Sequence, residues 1–146
     1  MDEGWLGWTA GIIDGEGCIC IWRRHKKYPN MYRVSMRVGN TNPLMLEKLK
    51  ELWGGYVGIN EVRSPIAKSK QIYRWEVNGS DCLVVLESLK TYLVVKKEQA
   101  ENAIGLIKRM TALNGRTGPS RALTEDEVSI RNKFYEKGKM LNRKGI

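Results

Sequence analysis

Apolar and polar positions along this chain alternate between a period near four and a period of two. Leu6, Thr9, Ala10, Ile12 and Ile13 follow helical spacing in Trp5–Gly17, WLGWTAGIIDGEG, and predict a helix over about 5–15 that is buried on most sides. Gly7, Gly11 and Gly15 recur every fourth residue and form one bare ridge on it. Glycine costs a helix about 1 kcal/mol per residue relative to alanine. Close approach of a second helix backbone would offset that cost. The stretch ends in Asp14-Gly15-Glu16-Gly17. Glycine stops helices, and a carboxylate at a helix C-terminus meets the negative end of the macrodipole. A nearby cation would relieve it; a buried helix with a polar stop is the plainer alternative.

The period then becomes two. CICIWRRHKK (18–27) predicts a strand with Cys18, Cys20, Trp22, Arg24 and Lys26 on one face and Ile19, Ile21 and Arg23 on the other. Tyr28-Pro29-Asn30 is turn chemistry. In MYRVSMRVG (31–39), Arg33, Ser35 and Arg37 oppose Val34, Met36 and Val38. Asn42 as N-cap and Pro43 at the first helical position open a helix to about Trp53, and Gly54-Gly55 stops it. A second hairpin follows: YVGINEVR (56–63), a loop over 64–69, and KQIYRWEVN (70–78). In the last of these, Tyr73, Trp75 and Val77 look inward, and Lys70, Ile72, Arg74 and Glu76 outward. Gly79-Ser80-Asp81 caps a helix bearing Leu83, Val84, Leu86, Leu89 and Leu93. Lys96–Gln99 opens a longer one, with Ala100, Ala103, Ile104, Ile107 and Met110 inward. Thr124 caps a last amphipathic helix with acids in its first turn, and KGKMLNRKGI is a frayed basic tail. The order α-ββ-α-ββ-α-α-α predicts an α+β fold, an antiparallel sheet covered on one face by helices.

Composition narrows the partner. At 146 residues the chain is expected to form one domain, 1–146. Lys and Arg number 25 against 16 Asp and Glu, a net charge of +9 that favours a polyanion. No apolar run approaches the roughly 20 residues of a membrane span, and MDEGW lacks the features of a signal peptide. Cys18, Cys20 and Cys82 are odd in number and fit a reducing, intracellular compartment. One histidine, His25, and no CxxC argue against a tetrahedral zinc site and a histidine-based nuclease site.

Thr9-Ala10-Gly11-Ile12-Ile13-Asp14-Gly15-Glu16-Gly17 resembles the LAGLIDADG motif of homing endonucleases. Ala10, Gly11, Ile13, Asp14 and Gly17 match its letters, Ile12 and Glu16 are chemical equivalents, Gly15 is a common variant and Thr9 departs from the usual Leu. The resemblance weakens towards Leu113. It implies an αββαββα saddle-shaped sheet with helices on one face over about 4–113, plus C-terminal helices, the last over about 123–141. One motif copy implies half a site. The family pattern therefore implies a homodimer joined through the helix bearing Gly7, Gly11, Asp14 and Gly15.

The resemblance implies a DNA endonuclease that makes a double-strand break in a long pseudo-palindromic target. Phosphodiester hydrolysis needs charge neutralisation and an activated water, which divalent ions held by carboxylates supply. The family motif places the ligand of Mg2+ (or Mn2+) at Glu16, with the Gly15 carbonyl beside it. On acid type alone Asp14 and Glu16 are not separable. The motif makes Asp14 structural, holding the helix pair or capping its partner. By family pattern Lys96, or Lys97, is the basic residue beside the cleavage site, and Asn40, with Asn42 near, the polar residue that positions water. A solvated lysine and a plain turn asparagine are the ordinary alternatives.

Antiparallel ribbons suit a DNA major groove. The candidate DNA-binding residues are Trp22, Arg24, Lys26, Arg33, Ser35, Arg37, Asn60, Lys70, Arg74 and Glu76. Arginine reads guanine bidentately and glutamate accepts from cytosine; a solvated sheet face is the alternative. Lys68, Arg116, Arg121 and Lys139 are at best phosphate contacts. Two other functions stay open: an RNA-binding maturase acting on intron RNA, and a non-catalytic DNA-binding regulator. Retention of Glu16 ranks the regulator last.

Overall fold

The computed structural model describes residues 1–23, 31–60, 70–114 and 124–143. Its elements are α1 (Glu3–Glu16), β1 (Gly17–Arg23), β2 (Tyr32–Asn40), α2 (Pro43–Trp53), β3 (Tyr56–Ile59), β4 (Tyr73–Asn78), α3 (Gly79–Leu89), α4 (Lys97–Asn114) and α5 (Glu125–Arg143). The strands form one antiparallel sheet in the order β1-β2-β4-β3. Each alternating pair makes a hairpin, and β2 and β4 join the hairpins in the middle. The inward positions, Ile19, Val34, Met36, Val38, Trp75 and Val77, are buried against the helices with Ile13, Leu46, Leu49, Val85, Leu86 and Leu89. The expected α+β architecture is therefore the observed one. Among the described residues no helix is long and apolar enough to cross a membrane.

Local chemistry explains most element ends. The Asp2 carboxylate caps α1 by accepting from the Trp5 N–H at 2.9 Å, so the helix starts earlier than its apolar pattern suggests. Asn42 caps α2 as expected, accepting from Leu44 N–H at 3.0 Å. Gly54 ends α2 at φ +74, and its carbonyl accepts the indole N–H of the fully buried Trp75 at 2.8 Å. Thr9, the departure from the motif, is also fully buried: its hydroxyl accepts the Trp53 indole N–H at 3.1 Å. A leucine there would leave that donor unpaired.

Several expectations need correcting. Within one chain α1 is buried only at Thr9, Ala10 and Ile13, not on most sides. A Cβ at Gly7, Gly11 or Gly15 would find nothing within 4 Å, because no described element covers the ridge. Gly79-Ser80-Asp81 forms the first turn of α3 rather than its cap; Asn78 precedes it and makes no side-chain cap. Leu93 lies beyond α3, buried in the connection to α4. Strand β4 begins at Tyr73, so Lys70 and Ile72 precede it. The basic tail is not frayed through residue 143. Gly138 and Leu141 are buried, and Asn142 Nδ2 donates to the Ile19 carbonyl at 3.0 Å, fastening α5 to β1. Arg24, Lys26 and His25, the turn at 28–30, the loop at 64–69, and Arg116 and Arg121 lie outside the described residues.

An ion cluster joins α4 to α5. The buried Glu127 carboxylate accepts from Arg109 Nε and Nη2 and from Arg131 Nε, at 2.8–3.1 Å. The Arg109 hydrogen bonds hold its carboxyl below the ordinary carboxylate range. Glu127→Ala should destabilise the fold by about 3 kcal/mol, because Arg131 stays buried without its partner. That is the low end for a broken buried pair, since Arg109 keeps solvent contact. A lowered folded pKa contributes stability above the unfolded pKa and loses it as pH falls through the folded one. Urea unfolding of both proteins across pH should show the difference shrinking below about pH 4.

Candidate nucleic-acid interface and metal site

Helix α1 passes into β1 with no residue between them. Gly17 makes this possible through space rather than an unusual backbone angle. Its φ is −86°, and its N–H donates to the carbonyls of Ile12 and Ile13. A Cβ there would lie 2.8 Å from the Ile13 Cα and carbonyl oxygen. The junction turns the two acids to different surroundings. Asp14 faces the approach to α4, where its carboxylate accepts the N–H groups of Val94 (2.9 Å), Val95 (3.1 Å) and Lys96 (3.0 Å). It caps a segment of its own chain. Lys96 Nζ reaches back to the Asp14 carbonyl at 2.7 Å. Glu16 and Gly15 are exposed, and Glu16 makes no hydrogen bond or ion pair with the described residues. A free carboxylate therefore ends α1, with a half-buried lysine held against the same helix end.

The sheet face away from the helices carries the outward side chains in cross-strand rows. Cys18, Arg37, Glu76 and Tyr56 form one row across all four strands. Gly39, Arg74 and Gly58 form the next, so Arg74 stands between two residues without side chains. Cys20, Ser35 and Asn78 lie on the other side of the first row, with Trp22 and Arg33 beyond. Trp22, 40% exposed, donates its indole N–H to Ser35 Oγ at 2.7 Å, and the Arg37 guanidinium lies 4.7 Å above its ring. Ser35 is fully buried, so Trp22 would have to move before Ser35 met a ligand.

Asn40 shares the parity of Val34, Met36 and Val38, and its side chain accepts from Asn42 N–H at 2.8 Å. No hydrogen bond among the described residues joins it to Glu16 or Lys96. Asn60 follows β3, where its N–H donates to the Ile72 carbonyl, and Lys70 is exposed before β4. Tyr56, 63% exposed beside Glu76, and Asn78, exposed in the Cys20 row, are absent from the sequence-derived set. Alternation in YVGI and WEVN carried the signal for both.

Cys18 and Cys20 lie two apart on that face with their Sγ atoms 2.9 Å apart. The hydrogen bond from Cys20 pulls the Cys18 thiol down to about 6 against the effect of burial, helped by Lys96 and Arg37. The same contact and burial push Cys20 up, and burial pushes Cys82 up to about 12. Thiolate is the reactive form. Alkylation of Cys18 by iodoacetamide in metal-free protein should therefore rise through about pH 6 and level off by neutrality, while folded Cys82 stays unmodified. Peptide mapping across pH checks this; a Cys18 rate still climbing through about pH 8.5, the ordinary thiol value, would overturn it.

No protein-family model and no curated protein matches the sequence. Solved structures do match. The archaeal intron-encoded homing endonuclease I-Vdi141I, complexed with DNA, aligns with a TM-score of 0.77 at 16% identity, over 100% of this chain and 89% of that one. The homing endonuclease I-CvuI, in complex with its target, aligns at 0.74 and 21% identity, over 94% of this chain and 81% of that one. The LAGLIDADG homing endonuclease I-GzeII, in complex with a DNA target, aligns at 0.66 and 16% identity, over 92% of this chain but 43% of that one. The fold of this chain is thus the fold of the LAGLIDADG homing endonucleases.

Proposed function

We propose that this chain is one subunit of a homodimeric, divalent-metal-dependent homing endonuclease of the LAGLIDADG family, cutting both strands of a long pseudo-palindromic DNA site. One observation carries the reading: a Glu16 carboxylate with no hydrogen bond or ion pair among the described residues, at the end of a glycine ridge that no described element covers, where Lys96 is bonded to the same helix end and the adjoining sheet face bears Arg33, Arg37 and Arg74. The net charge of +9 suits the same partner.

Glu16 and the Gly15 carbonyl fit a hard cation in ligand type, but at this helix end the described residues of one chain supply a single carboxylate without a hydrogen bond or ion pair. Among the described residues no three His, Cys, Asp or Glu side chains group as a metal site. A second copy docked along Gly7, Gly11 and Gly15 would bring a second Glu16 to the axis. The 43% coverage of I-GzeII leaves room in that longer chain for a second such unit. Bound at Glu16, Mg2+ or Mn2+ would neutralise phosphate charge and lower the pKa of a coordinated water. Lys96 would place positive charge where the leaving oxygen becomes anionic. Asp14 would keep Lys96 there by fixing residues 94–96. The sheet arginines would bind and read the duplex.

The test is cleavage selection from randomised duplex DNA with Mg2+, beside an EDTA control and an arm with intron RNA. A strand of about nine residues spans roughly 30 Å, about one duplex turn. The expected result is therefore a selected site of about 20 bp with two-fold symmetry. Folded protein that cuts no duplex with Mg2+ or Mn2+ would overturn the proposal; splicing of the RNA instead would assign the fold to RNA.

A further inference from the structure

The sheet face holds three guanidiniums around one carboxylate. Glu76 Oε1 faces Arg37 Nη2 at 3.2 Å and Arg33 Nη2 at 3.8 Å, and Oε2 faces Arg74 Nε at 3.5 Å. The side chains of Arg33, Arg37 and Arg74 are 42%, 27% and 34% exposed, that of Glu76 only 9%. An outward glutamate on a strand ordinarily stands free to accept from a cytosine amine. This one has both oxygens turned to arginines beneath the surface those arginines present. Arg37 is braced a second time by the Trp22 ring, itself tied to the buried Ser35. Arg37 Nε and Arg74 Nε are buried without a hydrogen-bond partner among the described residues, where these two side chains are held by the carboxylate and by packing.

We propose that Glu76 is a positioning residue for DNA reading, holding Arg33, Arg37 and Arg74 as one fan whose free N–H edges meet base edges in a fixed arrangement. This rests on the duplex-reading function proposed above. A guanidinium carries five donors in a rigid fork, so one edge can bind Glu76 while the other stays open. Bidentate recognition of guanine needs that fork aimed, whereas a phosphate accepts it in many poses. The carboxylate also cancels one of the charges of these three guanidiniums, which lowers attraction to any backbone regardless of sequence. Glu76 thus favours selectivity over raw affinity.

The experiment compares wild type, Glu76→Gln and Glu76→Asp in metal-free binding selections from randomised duplex, with titrations of a random duplex at several salt concentrations. For Glu76→Gln, affinity for random DNA should rise about three- to tenfold, with a salt dependence steeper by about one unit. Base preference should fall together at all positions contacted by the three arginines. Adding Arg33→Ala should change the profile much less in the Glu76→Gln background than in wild type. Glu76→Asp keeps the charge but shortens the arm by a methylene. It should blur the same positions without raising random affinity, and it carries the test if the glutamine variant does not fold. Loss of preference at a single C·G pair would make Glu76 a direct reader and overturn the inference. An unchanged profile in folded variants would overturn it too. A wild-type protein that selects no duplex would instead remove the DNA-reading function itself.

Discussion

Glu16→Gln should lose at least about a hundredfold in cleavage rate on both strands while the fold keeps its stability to within about 0.5 kcal/mol. The structural half follows from exposure: Glu16 touches no described partner, so glutamine leaves nothing orphaned. The functional half follows from charge, since glutamine keeps the shape but is a poor ligand for a hard cation. Metal-free affinity for DNA should be unchanged or higher, because a negative charge near the phosphates is gone. Asp14→Asn should separate from it. That variant weakens three backbone hydrogen bonds at residues 94–96, so it should lower the melting temperature as well as activity. A nicking assay on the selected target with Mg2+, beside thermal unfolding, reads both. Wild-type cutting by Glu16→Gln would remove Glu16 as the metal ligand.

Gly11→Val should abolish the proposed dimer without unfolding the chain. In one chain the ridge is open, with nothing within 4 Å of a Cβ at Gly7, Gly11 or Gly15. Valine, like every residue but proline, is a better helix former there than glycine, by less than the roughly 1 kcal/mol that alanine gains. The monomer should therefore hold or gain stability. Helices that pack through glycine bring their axes closer than the usual 8–10 Å (roughly) of side-chain-mediated packing, and a β-branched residue on both copies would force them apart. Sedimentation equilibrium and urea unfolding of the same samples decide the matter. Wild type should sediment as a dimer, and the variant as a folded monomer without nuclease activity. A variant dimer of wild-type affinity would overturn the ridge as the contact.

The element order was legible because each element announces itself locally. Two clean alternations, an Asn-Pro helix start and a Gly-Gly stop lie within a few residues of the structures they produce. The fastening of α5 was not legible. It depends on Asn142 meeting Ile19 and on Glu127 meeting Arg109, pairings over 123 and 18 residues that no local pattern encodes. In the candidate site, residue type alone left Asp14 and Glu16 equivalent. What separates their surroundings is three N–H groups some eighty residues away. Outwardness was likewise readable for Ser35 and Glu76, but alternation reports only which side of a sheet a residue occupies. It says nothing of a neighbour lying on top, and both are buried on that side.

The junction at Gly17 turns the helix end and the first strand into a gauge. No loop intervenes, so the carboxylate of Glu16 and the side chains of Cys18, Cys20 and Trp22 are spaced by backbone geometry alone, about 3.3 Å for each residue of strand. There is no slack for one to drift against the other. A single alanine inserted after Gly17 would exchange the faces of β1, sending Ile19 and Ile21 outward and the cysteines toward the helices. Under the proposed function, side chains on the sheet can be exchanged one at a time to alter which bases are preferred, whereas the distance from those bases to the carboxylate changes only by rebuilding the core.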